Sequence, residues 1–525
     1  MTLKIAQKAK PYAYYVLFIL TVTYILNFID RTILSILAEE IKAGLRIGDA
    51  SLGFLYGTAF AVFFSIFGIP LARLADHWNR KKLIGAGVFL WSLMTALSGT
   101  ATSFFQLALY RVGVGIGESA AAPASLSMLA DSFTKKMRAT VYGVWSTGVF
   151  IGSGAGFAVG GATLAAYHRW FPDGNAPFGI ADWQLSMFLV GVPGLLLSVF
   201  IFFLREPKRG EMDGVEIRQQ DPHAFRFFLQ ELAAVIPPFT FYSLYRLGGK
   251  SLMLRNMFYA FDLAISAWVL TGLLGNPEQW VSIALGLYAF TSWLQRLKIM
   301  DTPCYAVIFQ AKAMRYSVLG FSMIGFTVYG IGFWFTPYLL RRFSADPQDV
   351  GAMMGIIVLC SGFLSILLGG LISDFLKKYT VKARIYVGML SVLSIPLYYL
   401  GMSATEIHMA YFYATVGIFV GMIWIPSSLA MASELSPPHM RATAIAFNQL
   451  AGTLIGLAMG PYVMGQISDI MRMFNYTDAD SLQIGVLVAM LIAAPISMIL
   501  LWLSSLYVET EEKEIAHITQ AAEKS

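Results

Sequence analysis

PASLSMLADSFTKKMRATVYG at Pro123–Gly143 returns as PSSLAMASELSPPHMRATAIA at Pro426–Ala446, 303 residues later and without a gap, with 8 of 21 positions identical. Each copy carries the end of one apolar helix through an acid and a short polar turn to Met-Arg-Ala-Thr, where the next helix starts. A duplicated helix–loop–helix in so apolar a chain implies two related membrane halves. Repeats of this kind give secondary transporters two bodies that rock around one site.

The composition agrees. Of 525 residues, 57% are hydrophobic and 13% charged, about half the charge of a soluble domain. The net charge of +6 reads as basic loops on the cytoplasmic side of a membrane, which excludes a nucleic-acid partner. Cys304 and Cys360 form no CxxC pattern, and the six histidines are scattered, so neither a disulfide framework nor a metal site is expected. The first apolar run begins after Pro11, extends to about Leu37 and contains Asp30-Arg31. It exceeds a signal-peptide core of roughly 7–15 residues and is read as a retained span.

A crossing takes about 20 helical residues. Runs of that length lie near 13–37, 51–74, 82–102, 104–130, 139–166 and 182–204, and again near 315–340, 349–373, 384–403, 407–433, 442–468 and 483–508. The domains are therefore 1–204, a first six-helix bundle; 205–312, a linker; 313–508, a second bundle; and 509–525, an acidic cytoplasmic tail, either a solvated helix or disordered. The linker opens polar and ends in two apolar runs, about 252–274 and 279–297, split by Gly275-Asn276-Pro277. That split is a turn signal, and it predicts an extra membrane hairpin. A pair of helices lying on the surface is the alternative, because Arg255 and Asp262 interrupt the first run and the second is short.

Loop charges set the orientation. One face carries Lys4, Lys8, Lys10, Arg73, Arg80, Lys81, Lys82, Lys135, Lys136, Arg138, Lys377, Lys378, Lys382, Arg384 and Arg441; the other carries Lys42, Arg46, Arg169, Arg341, Arg342 and Arg472. The first, the basic face, is expected to be cytoplasmic with both termini on it, in a multi-pass protein of a bacterial inner membrane.

Ionisable groups at membrane depth are costly and usually functional. The first span contains Asn27-Phe-Ile-Asp30-Arg31, and the fourth contains Arg111 and Glu118 around Gly113, Gly115 and Gly117. Arg111 and Glu118 share a helix face but are about 10.5 Å apart along the axis, so each needs a partner elsewhere, and Asp30 is the natural one. A carboxylate near a buried arginine stays ionised; moved away in low dielectric it takes a proton. That is a proton switch if the helices move. A structural ion pair fixing the first helix to the fourth is the plainer reading. Arg31 points about 100° from Asp30, where it can meet a substrate headgroup or line the exit.

The second half has Ala414 and Gly421 where the first has Arg111 and Glu118. It carries aromatics instead, among them Phe326, Tyr329, Trp334, Tyr338 and Trp424. A cavity lined by Asn27, Arg31, Tyr329, Trp334, Tyr338 and Trp424 is charged on one side and apolar on the other, and suits an amphipathic molecule. Glycines at four-residue spacing in spans five and eleven are read as packing or hinge surfaces.

Asp76 followed by Asn79-Arg80-Lys81, with Asp374 before Lys377-Lys378 in the second half, and the two acid-to-arginine loops resemble the major facilitator superfamily. Asn79-Arg80-Lys81 and the Asp30-Arg31 and Arg111…Glu118 patterns are similar to its Spinster branch. The resemblance implies an all-α fold of two six-helix bundles with pseudo-two-fold symmetry, plus the two-helix insert. It implies coupling by Asp30, Arg111 and Glu118. It also implies a cytoplasmic gate of Asp76, Arg80, Lys81, Asp131 and Arg138 against Asp374, Glu434 and Arg441. The function implied is proton-coupled transport of a lysophospholipid or sphingoid-type lipid, by a monomer whose partners are membrane lipids and the amphipathic substrate, with no cofactor beyond the proton. The alternatives are a carrier of a small organic anion or drug, held by Arg31 and Arg111, or a membrane lipid enzyme or sensor. Against an enzyme stands the lack of any nucleophile–base set or metal-ligand motif. Gly248-Gly249-Lys250-Ser251 fails as a phosphate loop because Leu244 stands where the first glycine belongs.

Overall fold

Punctuation residues mark where the helices of the computed structural model begin. The side chain of Asn79 accepts the amide of Lys82 at 3.0 Å, that of Ser103 accepts Gln106 at 3.3 Å, and that of Asp346 accepts Gln348 at 2.7 Å just ahead of Pro347; such caps satisfy amides that have no helical partner. The structure describes residues 11–173, 176–210, 212, 223–437 and 440–524. Lys4, Lys8 and Lys10, and most of the polar opening of the linker, lie outside these.

The helices in chain order are α1 Pro11–Ile36, α2 Asp49–His77, α3 Arg80–Ser98, α4 Phe104–Ser119 continued by Ala121–Ser132, α5 Lys136–Trp170 and α6 Asp182–Phe202. The linker supplies a short helix, Ala224–Ala233, then α7 Phe239–Leu274 and α8 Pro277–Met300. The second half is α9 Lys312–Phe343, α10 Pro347–Lys377, α11 Ala383–Met402, α12 Ile407–Glu434, α13 Arg441–Met473 and α14 Asp478–Lys524. A short helix, Ala38–Leu45, joins α1 to α2.

Among the described residues, eleven helices are long and apolar enough to cross a membrane. The other three are α3, α4 and α8. α3 opens on three basic residues, α4 breaks at Ala120 and carries Arg111 and Glu118, and α8 carries Glu278, Arg296 and Lys298. The α7–α8 turn sits at Gly275 and Asn276, both at positive φ, with Pro277 opening α8. Gly249, at φ 74°, kinks α7. α7 exposes Leu254, Phe258, Phe261, Ile265 and Trp268 along one stripe, at the spacing of a single helix face.

Two seams join the halves. Along α5–α10, Gly154 and Gly355 each let the other's backbone approach; a Cβ on either would lie 2.6 Å from the partner's carbonyl oxygen. Along α2–α13, the Thr58 hydroxyl donates to the Ala458 carbonyl at 2.6 Å, and π-helical turns face the seam at Phe54–Thr58 and Gly452–Leu457. Other glycines of α5 pack within the first half: Gly152 and Gly156 meet the α1 backbone. The tail is helical rather than detached. The carboxylate of Glu511 accepts the Ala313 amide at 2.9 Å, and that of Glu512 pairs with Lys377 at 2.9 Å.

Candidate functional site

The glycines of α4 let α2 and α3 pack against it closely, and α4 shares its charges with α1. A Cβ on Gly115 would lie 2.5 Å from the Phe60 carbonyl oxygen of α2, and one on Gly117 would lie 2.8 Å from α3. That close packing seals four charges between helices. Arg111 donates to Asp30 Oδ1 at 3.3 Å, and Thr95 of α3 donates to Asp30 Oδ2 at 2.5 Å. Arg31 Nε donates to Glu118 Oε2 at 2.7 Å. Asp30, Arg111 and Glu118 are at most 2% exposed, whereas the Arg31 side chain keeps 22% of its surface open.

The partner expected for Glu118 was Asp30; the structure gives it Arg31 instead. The long Arg31 side chain reaches Glu118 over the ring of Phe60, 4.5 Å away, so Arg31 is not a free headgroup ligand in this state. Three buried polar atoms here have no hydrogen-bond partner: Asn27 Oδ1, Arg111 Nε and Glu118 Oε1. Buried polar atoms are normally satisfied, so their concentration at one spot is unusual.

The four aromatic residues expected around the cavity separate into two groups. Tyr329 is 37% exposed although it lies mid-helix, and Trp424 stands beside it, both flanking Gly325. Trp424 is otherwise buried and stacks on Phe321 at 6.0 Å. Trp334 and Tyr338 are fully buried away from any opening. The Trp334 indole donates to the Pro461 carbonyl at 2.8 Å, and the Tyr338 hydroxyl donates to the Met402 carbonyl. Both are packing residues of the face opposite the basic loops, because one turn of α9 separates residues that line a cavity from residues that close it.

On the basic face, each half binds its own charges. Arg80 is wholly buried; it pairs with Asp131 at 2.5 Å and Glu206 at 2.8 Å, and donates to the Ser127 and Pro207 carbonyls. Glu206 also accepts the Lys81 amide at 3.0 Å. Arg209 donates to the carbonyls of Ala75 and Trp78. Burial and the neighbouring Arg80 lower the pKa of the Arg209 guanidinium, against the opposing pull of Glu206, Asp76 and Asp131. Arg138 donates to the Ala130 carbonyl at 3.0 Å. In the second half, Glu434 pairs with Arg384 at 2.9 Å and Lys377 at 3.1 Å, and Asp374 pairs with Arg384 at 2.6 Å. Arg441, expected in this role, stands exposed; Arg384 at the start of α11 takes it.

Among the described residues, every ion pair joining the two halves lies on the opposite face. Arg341 of α9 pairs with Asp49 at 2.7 Å and Glu39 at 2.8 Å. Arg472 of α13 also pairs with Asp49, and Asp469 accepts the amides of Asp49 and Ala50 at 3.0 and 2.7 Å. Lys42 reaches Asp49 at 3.1 Å. Asp49 is fully buried within this set. The sequence reading passed over this lock, whose members carry no motif. The available signal was four outer basic residues, Lys42, Arg341, Arg342 and Arg472, matched by Glu39, Asp49, Asp469 and Asp478 on the same face.

The Major Facilitator Superfamily model matches residues 20–461, and again 317–524. The chain is 23% identical over 483 residues to an MFS-type efflux pump of Mycolicibacterium smegmatis, covering 91% of this chain and 90% of that one. It is 24% identical over 461 residues to the sphingosine-1-phosphate transporter SPNS2 of Danio rerio, covering 86% and 75%, and 24% identical over 471 residues to human protein spinster homolog 1, covering 85% and 71%. The fold superposes on the crystal structure of a bacterial homolog of the human lysosomal transporter Spinster in an inward-facing, unoccupied conformation, with TM-score 0.68 and 22% identity over 97% of this chain and 98% of that one. Two six-helix halves meeting on paired seams, charges shared between α1 and α4 and a matching family model thus converge: the chain belongs to the major facilitator superfamily of transporters and is similar to its Spinster-type members.

Proposed function

We propose that this transporter couples protons to the movement of an amphipathic lipid, a lysophospholipid or sphingoid-type molecule, with the basic face cytoplasmic. The observation that carries the reading is the state of Glu118: one oxygen is held by Arg31, and the other is buried without a partner. Arg31 is the one charge of the cluster with an open side. An anionic headgroup entering from the cavity competes with Glu118 for the Arg31 guanidinium. Glu118, left buried and unpaired, is then the group to accept a proton, because an isolated charge in low dielectric is far costlier than a neutral acid. Asp30 stays tied to Arg111 and Thr95 and anchors α1 while this happens. The aromatic side of the cavity, with Phe28, Phe60 and Phe64 within about 5 Å of the Arg31 guanidinium and Tyr329 across from it, suits an alkyl chain.

With the basic face cytoplasmic, the outer lock and the self-contained basic-face clusters support reading this as an inward-open state. Opening the other way requires the Asp49 lock to break and the two basic-face clusters to meet. A small organic anion or drug is the second reading, favoured by the partly open Arg31, which would hold a carboxylate equally well, and by the efflux pump among the relatives. Uptake into reconstituted liposomes separates them. Lysophosphatidyl lipids should be moved under a pH gradient, and small organic acids and sugars should not. Equal transport of a small hydrophilic sugar, with no lipid movement, contradicts the proposal.

A further inference from the structure

The histidines form no motif in the sequence, yet folding sets one of them beside two acids on the face opposite the basic loops. His168 lies in the last turn of α5, Asp182 opens α6, and Glu40 lies in the first turn of the short helix between α1 and α2. A ring nitrogen of His168 and one carboxylate oxygen each from Glu40 and Asp182 all lie within 4.8 Å of one another. His168 Nε2 stands 3.5 Å from Asp182 Oδ2, and the Glu40 and Asp182 carboxyls are in hydrogen-bond contact. Two carboxylates this close do not both stay charged without a proton or a cation between them. Their neighbours on this face are matched: Glu39 has Arg341, and Asp49 has Arg341, Arg472 and Lys42. Among the described residues no lysine or arginine pairs with Glu40 or Asp182, and His168 is the one basic group beside them.

We propose that Glu40, His168 and Asp182 hold a divalent transition-metal ion of the zinc class, which braces the Asp49 lock. The donor set selects the metal: an imidazole nitrogen favours zinc, whereas oxygen-only sets favour magnesium and calcium. The spacing fits, because bonds of about 2.1 Å place two ligands of a tetrahedral site about 3.4 Å apart. Asp182 is held ready for it. Its Oδ1 accepts the Trp183 amide at 2.7 Å, which aims Oδ2 at His168. Tyr167 fixes the end of α5 against the start of α6: its hydroxyl donates to the Ile180 carbonyl at 2.9 Å, and its ring meets the His168 ring edge-on at 5.8 Å. The His168 side chain is 57% exposed, so an ion enters from water and water completes its shell. The buried indole N–H of Trp183 has no acceptor. It lies against Gly44, where a Cβ would come within 2.7 Å of it, on the side of the short helix that also carries Glu40, one turn earlier. A metal-bound water supplies an acceptor there. The same short helix carries Glu39 and Lys42 of the lock. Tying Glu40 to the ends of α5 and α6 therefore holds that helix in the pose that seals this face. Neither the site nor the brace depends on what the protein carries.

Isothermal titration of the full chain in detergent with zinc chloride, on protein free of any polyhistidine tag, tests the site. One strong equivalent is expected, with magnesium and calcium chloride binding far more weakly. His168→Ala, at an exposed position that leaves the fold intact, should weaken that equivalent by at least about tenfold, and Glu40→Gln should do the same. Wild-type affinity for zinc in both variants, or magnesium bound as tightly as zinc, overturns the site. Spin labels across this face test the brace. In Asp49→Asn, where the lock is loosened, saturating zinc should bring the labels back together, and adding His168→Ala should abolish that response. Distances in Asp49→Asn unmoved by saturating zinc overturn the brace.

Discussion

Arg341 of the second half grips both carboxylate oxygens of Asp49 in the first, Nη2 to Oδ1 at 2.7 Å and Nη1 to Oδ2 at 2.8 Å. The two residues are 292 apart in sequence, and both are almost wholly buried, at 0% and 4% side-chain exposure. A bidentate pair of this kind, with Arg472, Lys42 and the Ser468 hydroxyl on the same carboxylate, ties the two halves at the face opposite the basic loops.

Breaking that tie should move the equilibrium between open states. Removing one member of a buried pair costs about 3–5 kcal/mol, charged here to the state sealed at this face. Asp49→Asn and Arg341→Gln should each shift the population toward opening at this same face by more than about a hundredfold. Spin labels placed across that face, read by double electron–electron resonance, should report a new long-distance population. Distance distributions identical to wild type would count against the lock.

Glu40 sets a pH dependence. Burial, then the charge of Asp182 and a hydrogen bond to it, then the charge of Glu39, raise its pKa from 4.5 to about 7. The folded state therefore holds this proton more tightly than the unfolded chain does. The stability contributed is full below about pH 4.5 and is lost as pH rises through about 7. Glu40→Gln, which keeps a donor toward Asp182, should melt like wild type at pH 4.5 and at a higher temperature than wild type at pH 8. Differential scanning fluorimetry in detergent at the two pH values checks this; a difference of the same size at both pH values contradicts it.

Arg80 is predicted to be structural before it is anything else. It is fully buried and holds Asp131, Glu206 and two carbonyls. Arg80→Ala leaves two partly buried carboxylates unpaired and should cost about 3–5 kcal/mol, seen as loss of monodisperse protein. Arg80→Lys should recover only part of this, because an ammonium cannot reproduce the fork of the guanidinium. Lys82→Ala, on the exposed side of the same loop, should change little.

What the sequence made legible was whatever repeats or costs energy to bury. Met-Arg-Ala-Thr at 137–140 and 440–443 announced two halves, and Asp30, Arg111 and Glu118 stood out because charge at membrane depth is rare. Which charge meets which was not legible. Asp30 and Arg31 are neighbours on α1, and the reach of the Arg31 side chain, not helix phase, decides that Glu118 belongs to it. The Asp49 lock was invisible for another reason. Its members come from four separate segments, and short loops and helix ends carry no periodicity to bring them together. Arg384 was likewise counted only as a loop charge, although the start of α11 aims it at Glu434. Trp334 and Tyr338 were assigned to the cavity because aromatic composition carries no information about which side of a helix end is open.

Proton flux measured together with lipid flux tests the central claim most directly. In proteoliposomes carrying a pH-sensitive dye in the lumen, addition of a lysophosphatidyl lipid should drive a proton movement in fixed ratio to the lipid moved. Glu118→Gln should abolish that movement while leaving the protein folded and able to bind the lipid, and Asp30→Asn, which loosens the α1 anchor, should slow lipid and proton movement together. Lipid moving at the wild-type rate and with the wild-type pH response in both variants would contradict the account.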